Sequence, residues 1–368
     1  MARRRAVDSG TGPGAQRGVL RAGTRTAVLE SVAGWVPGEP VGNDQLPAAW
    51  GVDDSWVRTR TGIGSRHRAG PGLATGDVAF EAAGRLLGRY PVPGPVDALV
   101  LATATPDHLC PGTAPALAAR LGLGTVPALD IAAVCSGFVY GLAVCHGLVA
   151  SGLYERVLLV GADVYSAWLD PADRSAGVVF GDGAGAALVA AGRTGAPGEL
   201  LAFDLGSDGT GYDLITVPGG GARARSTDRP AAAGDEFFRM QGPTVYQHAV
   251  QRMTGSCREL LARVGWDAAE VDHFVPHQAN ARILRAVAER VGIGPQRCVT
   301  HLERVGNTGA ASIPLALADA EGRGRLRAGD RILITAFGGG LTWGSVALRW
   351  PGTPQTISME GTQNGAVR

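Results

Sequence analysis

The sequence predicts an α/β fold made of two similar halves, and three observations lead to it. Short apolar runs alternate with alanine-rich, helix-patterned stretches along the whole chain. Two pairs of strand-like segments recur: VDALVLATAT at Val96 with VDHFVPHQAN at Val271, and VLLVG at Val157 with ILITA at Ile332. Both offsets are 175 residues, 271 − 96 and 332 − 157. In each half the later segment then runs into a glycine-rich strand, FGDGAGAALV and FGGGLTWGSVAL respectively.

In chain order, 98–102 is an unbroken apolar run of strand length, and 113–121 is an alanine-rich helix with proline in its first turn. The stretch 137–150 continues for a helix length without an acidic residue or an arginine. Strands follow at 157–160 and, in small residues, at 186–189. Helical patterns at 245–264 and 281–291 alternate with apolar strands at 274–276, 332–335 and 345–348. The halves divide as 25–195 and 196–350, with the boundary near 191–198. The segment 206–235, rich in Gly, Ala and Arg, reads as a cap or lid rather than a linker. Residues 1–24 read as a disordered extension and 351–368 as a disordered tail.

Composition narrows the function. Of 368 residues, 45% are apolar and 18% charged, with a net charge of +1, which argues against a nucleic-acid partner. Lysine is absent, so Schiff-base chemistry is excluded. The richness in Arg, Ala and Gly is that of a high-GC bacterial genome. No apolar stretch reaches the roughly 18 residues that span a bilayer, so no membrane partner is expected. MARRRAVDSGTGPGAQRG has basic residues without an apolar core, unlike a secretory signal. Five scattered cysteines (Cys110, Cys135, Cys145, Cys257 and Cys298) form no CxxC pair. They read as reduced thiols of a cytoplasmic protein with no metal site.

Four stretches carry chemistry. AAVCSGFVYGLAV places Cys135 between the apolar ALDIAAV and the helix-like 137–150. Such a strand-to-helix junction offers free N–H groups and a helix dipole, which lower a thiol pKa from about 8.5 and favour a nucleophile. A buried structural cysteine fits the same string. VPHQANARIL puts His277 at a strand end, where a catalytic histidine or a merely hydrogen-bonded one can sit. ERVGNTGAASIPLAL puts Asn307 in a tight turn ahead of a helix. AFGGGLTWG presents consecutive glycine N–H groups to an oxyanion, or forms a plain hairpin.

Together these stretches resemble the β-ketoacyl-acyl-carrier-protein synthase III family of thiolase-fold condensing enzymes, over roughly residues 26 to 350. The resemblance implies a thiolase-like fold, two similar α/β halves in a layered α-β-α-β-α arrangement. It makes Cys135 the acylated nucleophile, with His277 and Asn307 as partners and the N–H groups of Cys135 and Gly339 as oxyanion hole. DDSWVRTRTGIGSRH matches the family's coenzyme A adenine clamp through Trp56 and Arg60, with Arg174 as the other adenine contact. Arg282 meets phosphates or the carrier protein. Phe337, Gly242, Asn280 and Cys110 complete the implied substrate-binding set.

The implied reaction is a decarboxylative condensation of an acyl-CoA starter with malonyl-acyl carrier protein, priming fatty-acid or polyketide synthesis. It needs no cofactor, since acyl-CoA enters as substrate. A homodimer is implied, with the residue at Cys110 projecting into the partner's acyl tunnel. Two alternatives stand beside it: an acyltransferase to a hydroxyl or amine, and a catalytically silent partner subunit. Asn307 argues against the first and Cys135 against the second. A nucleotide-binding protein is disfavoured, for no GxGxxG follows a first strand and no P-loop is present. The chain departs from the family pattern at Gly309 (usually serine), Pro243 (often asparagine) and Cys110 (aromatic in acetyl-specific members).

Overall fold

The computed structural model describes residues 25–89, 94–226 and 232–352. The expected extension at 1–24 and the tail beyond Gly352 lie outside the described residues. The longer elements of the first half are β1 (Arg25–Trp35), α1 (Asp54–Thr61), α2 (Thr75–Arg89), β2 (Ala98–Ala102), α3 (Ala114–Arg120), β3 (Ala128–Ile131), α4 (Gly137–Ala150), β4 (Arg156–Asp163) and β5 (Gly183–Arg193). Those of the second are β6 (Leu200–Ser207), α5 (Gly242–Val264), β7 (His273–Pro276), α6 (Ala281–Val291), α7 (Ser312–Gly322), β8 (Arg331–Gly338) and β9 (Thr342–Arg349).

The strands form two sheets of matching topology. The first runs β1-β5-β4-β2-β3 and the second β6-β9-β8-β7. In each, one corresponding pair is parallel (β2 with β4, β7 with β8) and the other shared pairs are antiparallel. The register repeats as well: Ala98 pairs with Val157, and His273 pairs with Ile332. These are again positions 175 apart, so the repeat in the sequence is a repeat of sheet positions. The counterpart of β3 is reduced to a single bridge between Phe274 and Cys298.

Both sheets are covered on both faces, which is why their strands are nearly continuous apolar runs. Between the sheets lie α4 and α7. Phe138, Leu142 and Ile313 pack there against Val100 and Leu159 of one sheet and Ile334 and Val346 of the other. On the outer faces, Leu86 and Leu117 from α2 and α3 cover Leu99 and Leu158, while Leu260 and Val287 from α5 and α6 cover Phe274 and Leu333. The result is the α-β-α-β-α layering. Having no acidic residue or arginine, α4 can be buried over most of its surface, with Val144 and Gly147 left exposed.

Some boundaries differ from expectation. Strand β5 extends well beyond 186–189 because its glycines admit α7: a Cβ at Gly185 would stand 2.6 Å from Pro314 Cβ. Helix α5 begins at Gly242 rather than 245, with Pro243 in its first turn, where a missing N–H costs nothing. Within 206–235 and just beyond, Ile215–Thr216 pairs with Arg239–Met240, and this short ribbon closes one side of a large cavity.

Candidate active site

Cys135 sits where β3 hands over to α4, in a tight turn over Val134–Ser136. Val134 adopts a φ of +47°, a conformation that β-branched residues avoid and that persists only where the surroundings impose it. They do so here. Ser136 Oγ lies 2.8 Å from Ala133 O, to which it donates, and 2.8 Å from Thr342 Oγ1 in the other half. The end of β8 presses on the same turn, where a Cβ at Gly338 would stand 2.9 Å from Ala133 O, Cys135 N and Ser136 N. The glycine run after β8 is therefore what lets the second half approach the thiol.

Burial outweighs the helix dipole at this thiol. With help from the nearby Asp163 carboxylate, it pushes Cys135 up to about 12, against the expectation of a lowered value.

His277 follows β7 directly, its N–H donating to Thr335 O at 2.7 Å, and the side chain is 3% exposed. Burial drives the imidazole down to about 3, so it is neutral at physiological pH. Its Nδ1 lies 2.6 Å from Ser312 Oγ at the start of α7, and that oxygen accepts from Gln278 N at 3.3 Å. With Nδ1 engaged by Ser312, Nε2 is the ring nitrogen left for the cavity, and in the tautomer where the serine gives its proton to Nδ1 it carries the imidazole proton as a donor.

Asn307 is pinned by its backbone, Asn307 N donating to Val179 O and Gly181 N to Asn307 O, each at 2.9 Å. Its Oδ1 accepts from Gly309 N at 3.0 Å, which leaves the Nδ2 protons free. Gly309, a departure from the family pattern, thus still orients the amide through its backbone.

These three side chains line one cavity of about 530 Å³ together with Phe337, Gly242, Asn280 and Arg282. Phe180, Phe238, Ile215 and Met240 supply an apolar wall. The three residues expected to form an adenine clamp meet outside it: the Trp56 ring carries the Arg60 guanidinium at 4.3 Å and that of Arg174 at 5.5 Å. Asn280 ties this corner to the cavity mouth, donating to Arg60 O at 3.2 Å while capping α6 through Arg282 N. Cys110 does not line its own chain's cavity and is exposed. Gly339 lies against Ile215 of the cap. No group of side chains suited to a metal occurs among the described residues.

Sequence reasoning missed Ser312, Asp163 and Tyr165. Asp163 and Tyr165 come from the end of β4, and the repeat held a signal for them. Asp163 is the counterpart of Gly338, since 338 − 163 is 175, and the chain therefore leaves both sheets at one place. Asp163 accepts from Ala104 N and Ala310 N, each at 2.7 Å, and burial pushes its carboxyl up to about 7.

Two sheet-paired halves enclosing Cys135, His277 and Asn307 at their facing strand ends define a thiolase-type α/β protein. The chain matches the family models described as 3-oxoacyl-[acyl-carrier-protein (ACP)] synthase III over residues 129–209, and as its C terminal part over 261–350. It is 54% identical to β-ketoacyl-[acyl-carrier-protein] synthase III 5 of Streptomyces coelicolor over 88% of this chain and 97% of that one. The 3-oxoacyl-(acyl carrier protein) synthase III structure from Pseudomonas aeruginosa superposes with a TM-score of 0.83 at 47% identity, covering 90% of this chain and 100% of that one. A priming β-ketosynthase from a polyketide biosynthetic pathway gives 0.82 at 30% identity, covering 92% and 100%. The chain belongs to the 3-oxoacyl-[acyl-carrier-protein] synthase III family of condensing acyltransferases.

Proposed function

We propose that the chain loads an acyl group from acyl-CoA onto Cys135 and condenses it with malonyl-acyl carrier protein, priming fatty-acid or polyketide synthesis. One observation carries the reading: a single cavity joins a cysteine at a helix start with the His277 imidazole and the Asn307 amide.

In the first half-reaction the Cys135 sulfur attacks the thioester carbonyl, a new C–S bond replaces the old one, and the thiol proton ends on coenzyme A. The developing oxyanion is received by the N–H groups of Cys135 and Gly339, an arrangement in which one donor is worth about 3–4 kcal/mol. Trp56, Arg60 and Arg174 hold the adenine end, and Arg282 the phosphates or the carrier. In the second half-reaction the malonyl carboxylate leaves as carbon dioxide. His277 and Asn307 bind the thioester oxygen as it becomes an enolate, which a neutral imidazole can do without giving up its proton. The enolate carbon attacks the acyl carbonyl, and the Cys135 thiolate departs. The electrons balance without a cofactor.

The site lies where the halves 25–195 and 196–350 meet. The working form in this reading is a cytoplasmic homodimer, with Cys110 reaching the partner's tunnel. Intact-mass analysis after incubation with a panel of acyl-CoAs should show one acyl adduct, mapped to Cys135, and malonyl-carrier protein should then release carbon dioxide. An adduct on Cys145 or Cys257 would remove the assignment. Loading without carbon dioxide release would establish a non-condensing acyltransferase instead.

A further inference from the structure

The end of β4 holds a carboxylate that the strand itself does not need. Asp163 is fully buried, and among the described residues no arginine or histidine pairs with it. Its partners are neutral donors. Oδ1 accepts from Ala104 N at 2.7 Å, Thr103 Oγ1 at 3.1 Å and Thr105 Oγ1 at 3.4 Å, and Oδ2 accepts from Ala310 N at 2.7 Å. A buried carboxylate without a cation is costly even when hydrogen-bonded. The same sheet position in the second half, Gly338, carries no side chain. A strand end of this topology can therefore do without a carboxylate, and this one needs another reason.

Three of the four donors belong to the first half. The fourth, Ala310 N, comes from the second half and lies in the turn that anchors the Asn307 amide. Gly309 N donates to Asn307 Oδ1 at 3.0 Å, and the next N–H along the chain goes to Asp163. Strand β4 grips the same turn elsewhere, for a Cβ at Gly161 would stand 2.6 Å from Ala310 O. A Cβ at Gly309 would stand 2.1 Å from Asp163 Oδ2, so the turn rests directly on the carboxylate. The backbone of Asn307 is tied separately, to Val179 and Gly181. The Asp163 contact thus acts on the anchor of the amide rather than on the path of the chain.

We propose that Asp163 is a positioning residue for condensation: it fixes the 309–310 turn so that Gly309 N holds the Asn307 amide with its Nδ2 protons free for the cavity. Asp163 does not line that cavity, and no bond changes at it. The site needs acceptors on both oxygens, and an amide has only one. In Asp163→Asn the amide oxygen should take the side with three donors, which leaves its NH2 facing Ala310 N. Two donors face to face push the turn away, and a misplacement of about 1 Å can cost about 100-fold in rate.

This role rests on the proposed reaction, and its test separates the two. Asp163→Asn should lower the kcat for carbon dioxide release from malonyl-carrier protein by about ten- to 100-fold, with KM within about twofold. Loading of Cys135, read by intact mass, should stay within about twofold, since the carboxylate opposes thiol ionisation rather than assisting it. In an Asn307→Ala background the same substitution should cost less than about threefold, because no amide remains to be misplaced. Thr103→Val loosens the carboxylate while keeping it, and should show the same split at about threefold even if Asp163→Asn does not fold. Equal losses in loading and carbon dioxide release, or the full loss repeated in the Asn307→Ala background, would overturn the positioning role. An unsubstituted protein that releases no carbon dioxide would remove the proposed function, whereas a normal rate in Asp163→Asn would remove this inference alone.

Discussion

The imidazole Nδ1 of His277 lies 2.6 Å from Ser312 Oγ, and that one contact joins a strand end to the helix buried between the sheets. It decides which ring nitrogen faces the chemistry. Helix α7 is held by both sheets, so the serine is a fixed reference for the ring.

Ser312→Ala should therefore damage the second half-reaction selectively. Without the hydroxyl, Nδ1 can take the proton and Nε2 becomes an acceptor, which repels an enolate. Losing one oriented donor of this kind is worth about 1–3 kcal/mol, or roughly 5- to 150-fold in rate. Carbon dioxide release from malonyl-carrier protein should fall by that amount while loading of Cys135 stays within about twofold. Equal losses in both steps would indicate a packing defect.

Asn307→Ala should act on the same step by removing the second donor. Its Oδ1 contact to Gly309 N would also go, but the backbone pins to Val179 and Gly181 remain. A drop of about two orders of magnitude in condensation with loading preserved is expected. Impaired loading would place the amide in the first half-reaction.

The three catalytic candidates were legible because each stands next to glycine or a helix start in a string that composition alone does not produce. Their supports were not. Ser312, Asp163 and Tyr165 reach the site only because the two sheets share one topology, and nothing local in GADVYS announces it. Strand β1 escaped notice for a different reason: a register shift between Leu29 and Ser31 breaks its alternation and leaves Glu30 half-buried beside Arg156. The expected low thiol pKa failed because a sequence shows a helix start but not how deeply the fold buries it.

Two buried groups should oppose each other in the pH dependence of stability. His277 is pushed down to about 3, so the unfolded chain binds its proton first, and stability is lost as pH falls below about 6.5. Asp163 is raised to about 7, so the folded chain binds its proton first, and that contribution is present near pH 4 and lost as pH rises towards 7. Between about pH 5 and 6.5 the slopes nearly cancel. Asp163→Asn removes one of them. Thermal melts of the variant should fall more steeply on acidification across that window, by about 1.4 kcal/mol per pH unit. Parallel curves for the two proteins would contradict this.

Arg282 and Arg285 lie three residues apart on α6, both exposed, with Arg282 at the cavity mouth. Carrier proteins are acidic, so this face should steer their docking and lose effect as salt rises. Replacing both arginines by glutamate should raise the KM for malonyl-carrier protein about tenfold or more, with much less effect on loading from acyl-CoA. Equal effects on both substrates would assign the arginines to the coenzyme A phosphates.

Cys110 is exposed on its own chain and absent from its own cavity, so any effect on the acyl group must come through a partner protomer. In the proposed homodimer, a small residue there would leave volume at the tunnel end that an aromatic ring would fill. Each methylene buried in that volume contributes about 0.8 kcal/mol, or roughly fourfold in binding. Two or three shift preference by about one to two orders of magnitude, so a starter longer or bulkier than acetyl should load best. Cys110→Phe should suppress loading by the longer acyl-CoA and spare acetyl-CoA, and both proteins should run in solution at the mass of the proposed dimer. A protein that is monomeric at working concentration, or that loads acetyl-CoA best with or without the substitution, would show that the acyl pocket is closed by its own chain.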